Sequence, residues 1–410
     1  VNRPFARLWV ASLFSEMAEW MLQVALPVFI YQATGSAGST ALTMAVGILP
    51  MVLLSPVAGM VADRWDRRRT LWIVCLAQAA VALPLLLAGD ALPLIYLVMA
   101  AQSAVASLFE PARSALVPEI VKADRLVAAN GMMGFNSSIA RLLGSAFGGF
   151  VLGFGGMGWV VVVYLAALMI AGVVLLPRFP EHEQVVTKQI TGWMAGLREF
   201  RGGLRFTGMT LMLCSVSQGM FLVLFIVFVT GPLAGGEAEV GLLRGIQAIG
   251  GLLAGAVIAS AARRMKPGTM LGLGALSLGL LSFAIWNMPI VTLDDTVYIV
   301  LFAAAGGPAV FFTSGLLTIL QTAGSPERSG RIVATAMAGM AAFQVAGMLL
   351  AGGLVDMWSL TALLDIQASL TITAGAAILL NQRYRRPIGT HLPDQASGTT
   401  TEPVSPGRSR

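Results

Sequence analysis

Charge is what this chain has least of. Only 11% of its 410 residues are Asp, Glu, Lys or Arg, against about 25% in soluble domains, and a water-facing surface for a chain of this length cannot be made from so few. Cysteine and histidine are scarce too, with two of each. Cys75 and Cys214 fall in separate apolar runs, which argues against a disulfide or a metal pair, and His182 and His391 lie far apart in polar stretches. None of Lys122, Lys188 or Lys266 follows a glycine, as a phosphate-binding loop requires. No metal, no cofactor, no nucleic-acid partner and no enzymatic activity is expected, and an ATP-driven pump is disfavoured.

What fills the chain instead is apolar. Hydrophobic residues make up 57% of it and the mean hydropathy is +0.81, so the expected solvent is a lipid bilayer. Backbone polar groups in lipid must bond to one another. The apolar runs are continuous and about 20 residues long rather than alternating, which makes them helices. Twelve runs stand out, at 8–31, 38–62, 70–89, 91–110, 127–153, 157–177, 206–231, 239–262, 268–288, 296–320, 331–355 and 360–381. The expected fold class is an all-α membrane protein of twelve transmembrane helices.

The few charges orient the chain. Of the 26 Lys and Arg, all but Arg141 and Arg244 fall at the two termini and in every second loop. The alternate loops hold Asp90, Glu237, Glu239, Asp294, Asp295 and Asp356 and no base. By the positive-inside rule both termini are cytoplasmic, and the net charge of +6 reports topology.

Residues 178–205 make the longest loop on the basic side. Within it Ile190, Trp193, Met194, Leu197, Phe200 and Leu204 recur at helical spacing, with Arg198, Arg201 and Arg205 off that stripe, as in a helix lying on a membrane surface. This linker divides the chain into two six-helix bundles, 1–177 and 206–383. A tail at 384–410, rich in Ser, Thr, Pro and Gly, is expected to be disordered. The bundles echo each other. "GMVADRWDRR" from Gly59 aligns with "GAVIASAARR" from Gly255, with Ala259 where the first copy has Asp63. Gly144, Gly148 and Gly149 are echoed by Gly347, Gly352 and Gly353. Paired repeats of this kind suit a transporter with its site at the midplane.

Gly59, Asp63, Arg64, Arg67 and Arg68 form a G-x-x-x-D-R-x-x-R-R pattern between the second and third helices. With it the chain resembles the major facilitator superfamily. "ALPVFIYQATGS", "PARSALVPE", "ARLLGSAFGG" and "PERSGR" are similar to the branch of bacterial drug, macrolide and enterobactin exporters. The resemblance implies two pseudo-symmetric bundles in the cytoplasmic membrane and alternating access. It also implies a latch, in which Gly59, Asp63, Arg64, Arg67 and Arg68 meet the start of helix 11 near Arg331 and hold the cytoplasmic side shut. Gly144, Gly148 and Gly149 resemble the helix-5 glycine motif of antiporters, with Ser145 where a proline usually stands. Gln218, Phe221, Phe312, Thr313 and Ser314 fall on helices that line the cavity in that superfamily.

Ionisable residues at membrane depth cost about 2.5–3.5 kcal/mol each at a helix centre, so each calls for a reason. Glu16 and Glu19 lie on one face of helix 1. Two carboxylates so close in low dielectric do not both stay ionised readily, which suits proton carriage. Arg141 in helix 5 is the expected partner. Arg244 is expected to snorkel to water or Glu239, and Glu110 with Arg113 to join the charges around Asp63. The chain is expected to be a proton-coupled exporter of small amphiphilic molecules, drug- or siderophore-like, and monomeric. A lysophospholipid flippase and an uptake carrier are the alternatives on the same fold.

Overall fold

The computed structural model describes residues 2–87, 89, 91–122, 125–176, 203–261, 265–322 and 326–384, with the backbone alone at 55–64, 127, 203–204, 256–261, 326–331 and 382–384. The linker expected over 178–205 lies outside the described residues except at its last positions, as does the tail beyond Tyr384. The surroundings of Gly59 and the side chains of Asp63, Arg64 and Arg331 lie outside them as well.

Among the described residues the chain is helical throughout, with no strand: α1 (Arg3–Thr34), α2 (Ala37–Arg64), α3 (Arg67–Ala82), α4 (Leu92–Ala106), α5 (Phe109–Ile120), α6 (Leu126–Leu175), α7 (Gly203–Thr230), α8 (Glu237–Ala261), α9 (Pro267–Asn287), α10 (Asp295–Thr322), α11 (Pro326–Leu354) and α12 (Leu360–Tyr384). Most are apolar around their whole circumference, the mark of a helix buried in protein or in lipid. They are not all buried in protein, since Phe154 is 84% exposed and Leu253 67%. Lipid is the medium such surfaces require.

Ten described segments are long and apolar enough to cross a membrane. One of them, Ala128–Leu175, holds 48 residues, about 70 Å at 1.5 Å per residue and far beyond a 30 Å hydrocarbon core. It is folded at Gly156, where φ is 73° and ψ −175°, a backbone conformation that glycine adopts without a Cβ clash. The two arms run in opposite directions. Met132 accepts from the Trp9 indole at the N-terminal end of α1, Gly149 reaches Glu237 at the far end, and Leu175 returns to accept from Arg68 at 3.2 Å. The α8 helix falls outside the ten. It carries Glu237, Glu239 and Arg244 in an otherwise apolar sequence.

Charged and polar side chains pin the end of the molecule that bears the N-terminus. Asn2 donates to the Ile120 carbonyl, and Arg67 pairs with Glu119 and donates to the Ala115 carbonyl at 3.2 Å. Asp66 caps α3, accepting from the Arg69 amide at 2.6 Å. The opposite end holds Gly35, Glu237 and Asp294.

Helices α1–α6 pack mainly on one another, and α7–α12 do the same. Close backbone approach repeats between the two sets. The first arm of α6 lies on α1 where Gly144 and Gly148 meet Met17, Trp20 and Met21. Likewise α11 lies on α7 where Gly347 meets the Val216 carbonyl. Between the sets, Gly149 of α6 lies against Gly241 of α8, and Gly352 of α11 against Gly38 of α2. A Cβ at any of these four α6 and α11 glycines other than Gly352 would press on neighbouring backbone, and at Gly352 it would press on the Ala41 side chain. Each pairing in one set therefore has its counterpart in the other.

Candidate functional site

The Gly149–Gly241 and Gly38–Gly352 contacts between the sets lie toward the end opposite the N-terminus. There Gln32, near the end of α1, also donates to Glu237 at 2.6 Å. Deeper in, the sets part around a cavity of about 230 Å³. Its walls come from both: Glu19, Gln23, Gln78, Gln102 and Tyr164 on one side, and Phe225, Arg244, Gln344 and Met348 on the other.

Among the described residues, Glu19 is the one carboxylate lining this cavity. Gln78 faces it, Glu110 lies close enough for its charge to act on it, and the buried Tyr164 lies within reach of both Glu19 and Gln102. Gln102 donates to the Gln78 carbonyl at 2.7 Å, tying α4 to α3 behind Glu19. The buried amide oxygens of Gln78 and Gln102 have no partner, so this wall offers acceptors as well as an acid.

The pairing expected between the helix-1 acids and Arg141 is absent. Glu16 pairs with Arg113 of α5, which also holds Glu110 at 2.5 Å. Arg113 thus closes a charge cluster with Glu16 and Glu110 within the first set of helices; the side chain of Asp63, whose surroundings Glu110 and Arg113 are expected to join, lies outside the described residues. The reason is geometric. Glu16 sits nearer the N-terminal end than Glu19, level with the start of α5, and the salt-bridged arginine rises from there. Arg141 has no acidic partner among the described residues. Its guanidinium stands 5.9 Å from the Trp20 ring centroid, and its buried Nε is unbonded. Arg244 does not snorkel to Glu239, which instead accepts from the Gly236 amide at 2.8 Å. It turns inward, 5.3 Å from the Phe221 ring centroid, with Gln247 at 3.4 Å.

The remaining expected residues are scattered. Of the motif between helices 2 and 3, the described arginines bind within their own set, Arg67 to Glu119 and Arg68 to the carbonyls of Leu175 and Leu176. Gly144 and Gly148 serve the α6–α1 contact and Gly149 the α6–α8 contact. Phe221 stacks on Phe225 with ring centroids 5.5 Å apart, at the edge of the cavity. Phe312 packs in a separate cluster with Leu271, Ala275 and Cys214. Gln218 is exposed. Thr313 bonds the Ala309 carbonyl of its own helix at 2.9 Å, and the Ser314 carbonyl accepts from Thr318. The sequence reading passed over Gln23, Gln78, Gln102, Tyr164 and Gln344. Amides in the middle of apolar runs were the available signal, because each carries an unfavourable transfer cost in lipid.

Known proteins agree with this geometry. Residues 8–323 match the sequence profile of the Major Facilitator Superfamily. The MFS-type transporter YkuC of Bacillus subtilis is 27% identical over 235 residues, 55% of this chain and 54% of that protein, so the chain spans about half the length of that relative. The multidrug efflux pump Tap of Mycobacterium tuberculosis is 28% identical over 382 residues, 86% of this chain and 87% of its own. The lysophospholipid transporter LplT of Photorhabdus laumondii is 25% identical over 193 residues, 47% and 46% of the two chains. In fold, the nucleoside transporter NupG superposes with a TM-score of 0.74 at 14% identity, covering 94% of this chain and 100% of that one. The chain therefore belongs to the Major Facilitator Superfamily, and the relatives named above are transporters.

Proposed function

We propose that this protein is a proton-coupled exporter of small amphiphilic molecules working by alternating access in the bacterial cytoplasmic membrane. The observation that carries this reading is Glu19, an acid lining a cavity whose walls come from both sets of helices. Twelve crossings, with both termini cytoplasmic, follow from counting α8 and the two arms of α6 and from the positive-inside rule. The halves 1–177 and 206–383 rock about the α6–α8 and α2–α11 contacts. The matched glycine contacts in the two sets support that division. With those contacts and the Gln32–Glu237 bond made at the acidic end, the described form is the one shut to the outside.

Protonation of Glu19 alternates with cargo binding, while Glu16, already paired with Arg113, holds α1 to α5. The latch of Gly59, Asp63, Arg64, Arg67, Arg68 and Arg331 operates in the opposite, inward-shut form. Gln218, Thr313 and Ser314 meet cargo only as the halves move, and Phe221 flanks it throughout. The protein works as a monomer. Export is favoured by the likeness to Tap across most of both chains. A lysophospholipid flippase is the second reading, favoured by the match to LplT.

The test is counterflow in proteoliposomes with and without an imposed pH gradient. Wild-type protein accumulates an amphiphilic dye against its gradient when the pH gradient is applied. Glu19→Gln retains exchange without the gradient and loses the response to it. A Glu19→Gln protein that still answers to the gradient contradicts the assignment.

A further inference from the structure

Three arginines lie at membrane depth in the described helices, and they are not alike. Arg113 has two carboxylates on it. Arg141 and Arg244 have none, and they stand near enough that the charge of Arg141 acts on Arg244. Each instead faces one aromatic ring, and Arg244 also has the neutral Gln247 at 3.4 Å. A cation–π contact returns about 0.5–2 kcal/mol, less than the roughly 2.5–3.5 kcal/mol that a charge costs at a helix centre, and the mutual repulsion of two guanidiniums adds to the deficit. Packing alone leaves this pair unfavourable. Arg244 lines the cavity, as does Trp20, on whose ring the Arg141 guanidinium lies. The buried Nε of Arg141 has no partner among the described residues.

On the opposite wall of the same cavity is Glu19, with no base paired to it among the described residues. The rest of the lining is largely apolar, with Leu222, Phe225, Ile226 and Met348 on the Arg244 side. We infer that the cavity is a receptor for zwitterionic amphiphiles, with the anionic group of the cargo on Arg141 and Arg244, its ammonium on Glu19, and an apolar body between. This rests on the transport reading above and supplies its coupling chemistry. A proton on Glu19 cancels the charge that holds the ammonium, so proton and cargo exclude one another, as exchange requires. A purely anionic cargo would instead bind best with Glu19 protonated and would travel with the proton.

The test uses the full chain in phosphatidylcholine nanodiscs and a matched series by calorimetry: 8-aminooctanoate, octanoate and octylammonium, with the six- and twelve-carbon amino acids to find the spacing. The best of the amino acids is expected to bind about tenfold or more tighter than either singly charged probe, since each hydrogen-bonded charge contributes at that level. Glu19→Gln removes its advantage over octanoate, and Arg141→Gln with Arg244→Gln removes its advantage over octylammonium. Loss of packing would weaken all probes together and not in this crossed pattern. Should the double glutamine variant fail to fold, Arg244→Lys keeps the charge, loses the planar fork, and is expected to weaken octanoate several-fold while sparing octylammonium.

Equal affinities for the three eight-carbon probes in the wild type, or a crossed pattern that fails to appear in the folded variants, overturns the inference. Lysophosphatidylcholine in the series tells the source of the zwitterion: tighter than the amino acids, it upholds the class as lipid, and weaker, it upholds it as soluble cargo. Counterflow of an amphiphilic dye without a zwitterion preference contradicts this site and leaves the transport reading. Selective binding without any counterflow contradicts the transport reading and leaves the site.

Discussion

The two sets of helices pack alike and bury different things. In α1–α6 the interior holds Glu16, Glu19, Gln78, Gln102 and Tyr164 around the cavity's first wall. In α7–α12 the matching region is a nest of rings. Phe225 meets Phe302 edge-on at 5.3 Å, Phe228 meets Trp286 at 4.9 Å, and Phe221 lies 6.0 Å from Trp286. Neutral polar groups beside the rings bond to one another. Trp286 donates to Gln367 at 2.9 Å, Gln367 donates to Ser217 at 2.7 Å, and Ser217 lies 2.5 Å from Thr371. Duplicated packing therefore does not carry duplicated chemistry. One half holds the acid that lines the cavity, Glu19, and the other supplies, among the described residues, a largely apolar wall with one cation, Arg244.

The sharpest way to break the packing half of this comparison is at the matched glycines. Gly149→Leu and Gly352→Leu each force a side chain into the opposite set, and both are expected to abolish counterflow while the protein still inserts. Gly353→Leu is the control, since a Cβ there meets nothing within 4 Å, and it should transport normally. Loss in only one of the first two would show that the contacts are not equivalent. Next in size, Phe225→Ala removes a ring from the second wall and is expected to destabilise the protein by about 3–5 kcal/mol, read as a lowered unfolding midpoint in detergent. Gln102→Ala, on the first wall, should destabilise far less and alter transport more.

Gln367→Leu tests whether the neutral network is only structural. It leaves the Trp286 indole N–H without its acceptor, at about 1–3 kcal/mol, while Ser217 keeps Thr371 and the residue-367 carbonyl, with the pH response of transport intact. The smallest effect belongs to Gln32→Ala. This exposed bond to Glu237 contributes below about 1 kcal/mol, so the balance between inward- and outward-shut forms should move a few-fold at most, measured by spin-label distances across the acidic end.

The helices were legible in the sequence because lipid demands long apolar runs, and the turn at Gly156 was legible because glycines interrupt one such run. Glu19 was legible for a related reason, as an acid where acids are costly. The direction of Arg244 was not. A helix apolar around its circumference has no stripe to say which face turns inward, so proximity to the helix end pointed wrongly to Glu239. The Glu16–Arg113 pair was hidden as well, since a contact between α1 and α5 depends on how rods pack, and spacing along one helix reveals only its own faces. The motif from Gly59 to Arg68 was visible at once, and part of it, Asp66, proves to cap α3.

The central claim, that the cavity between the sets opens to one side at a time, is tested most directly by thiol labelling. Both native cysteines are buried, so a Gln23→Cys protein reports the cavity alone. In sided vesicles a membrane-impermeant maleimide is expected to reach this position from the cytoplasmic side at rest, and from the outside as well once cargo and a pH gradient drive turnover. Labelling from a single side under every condition would contradict the account.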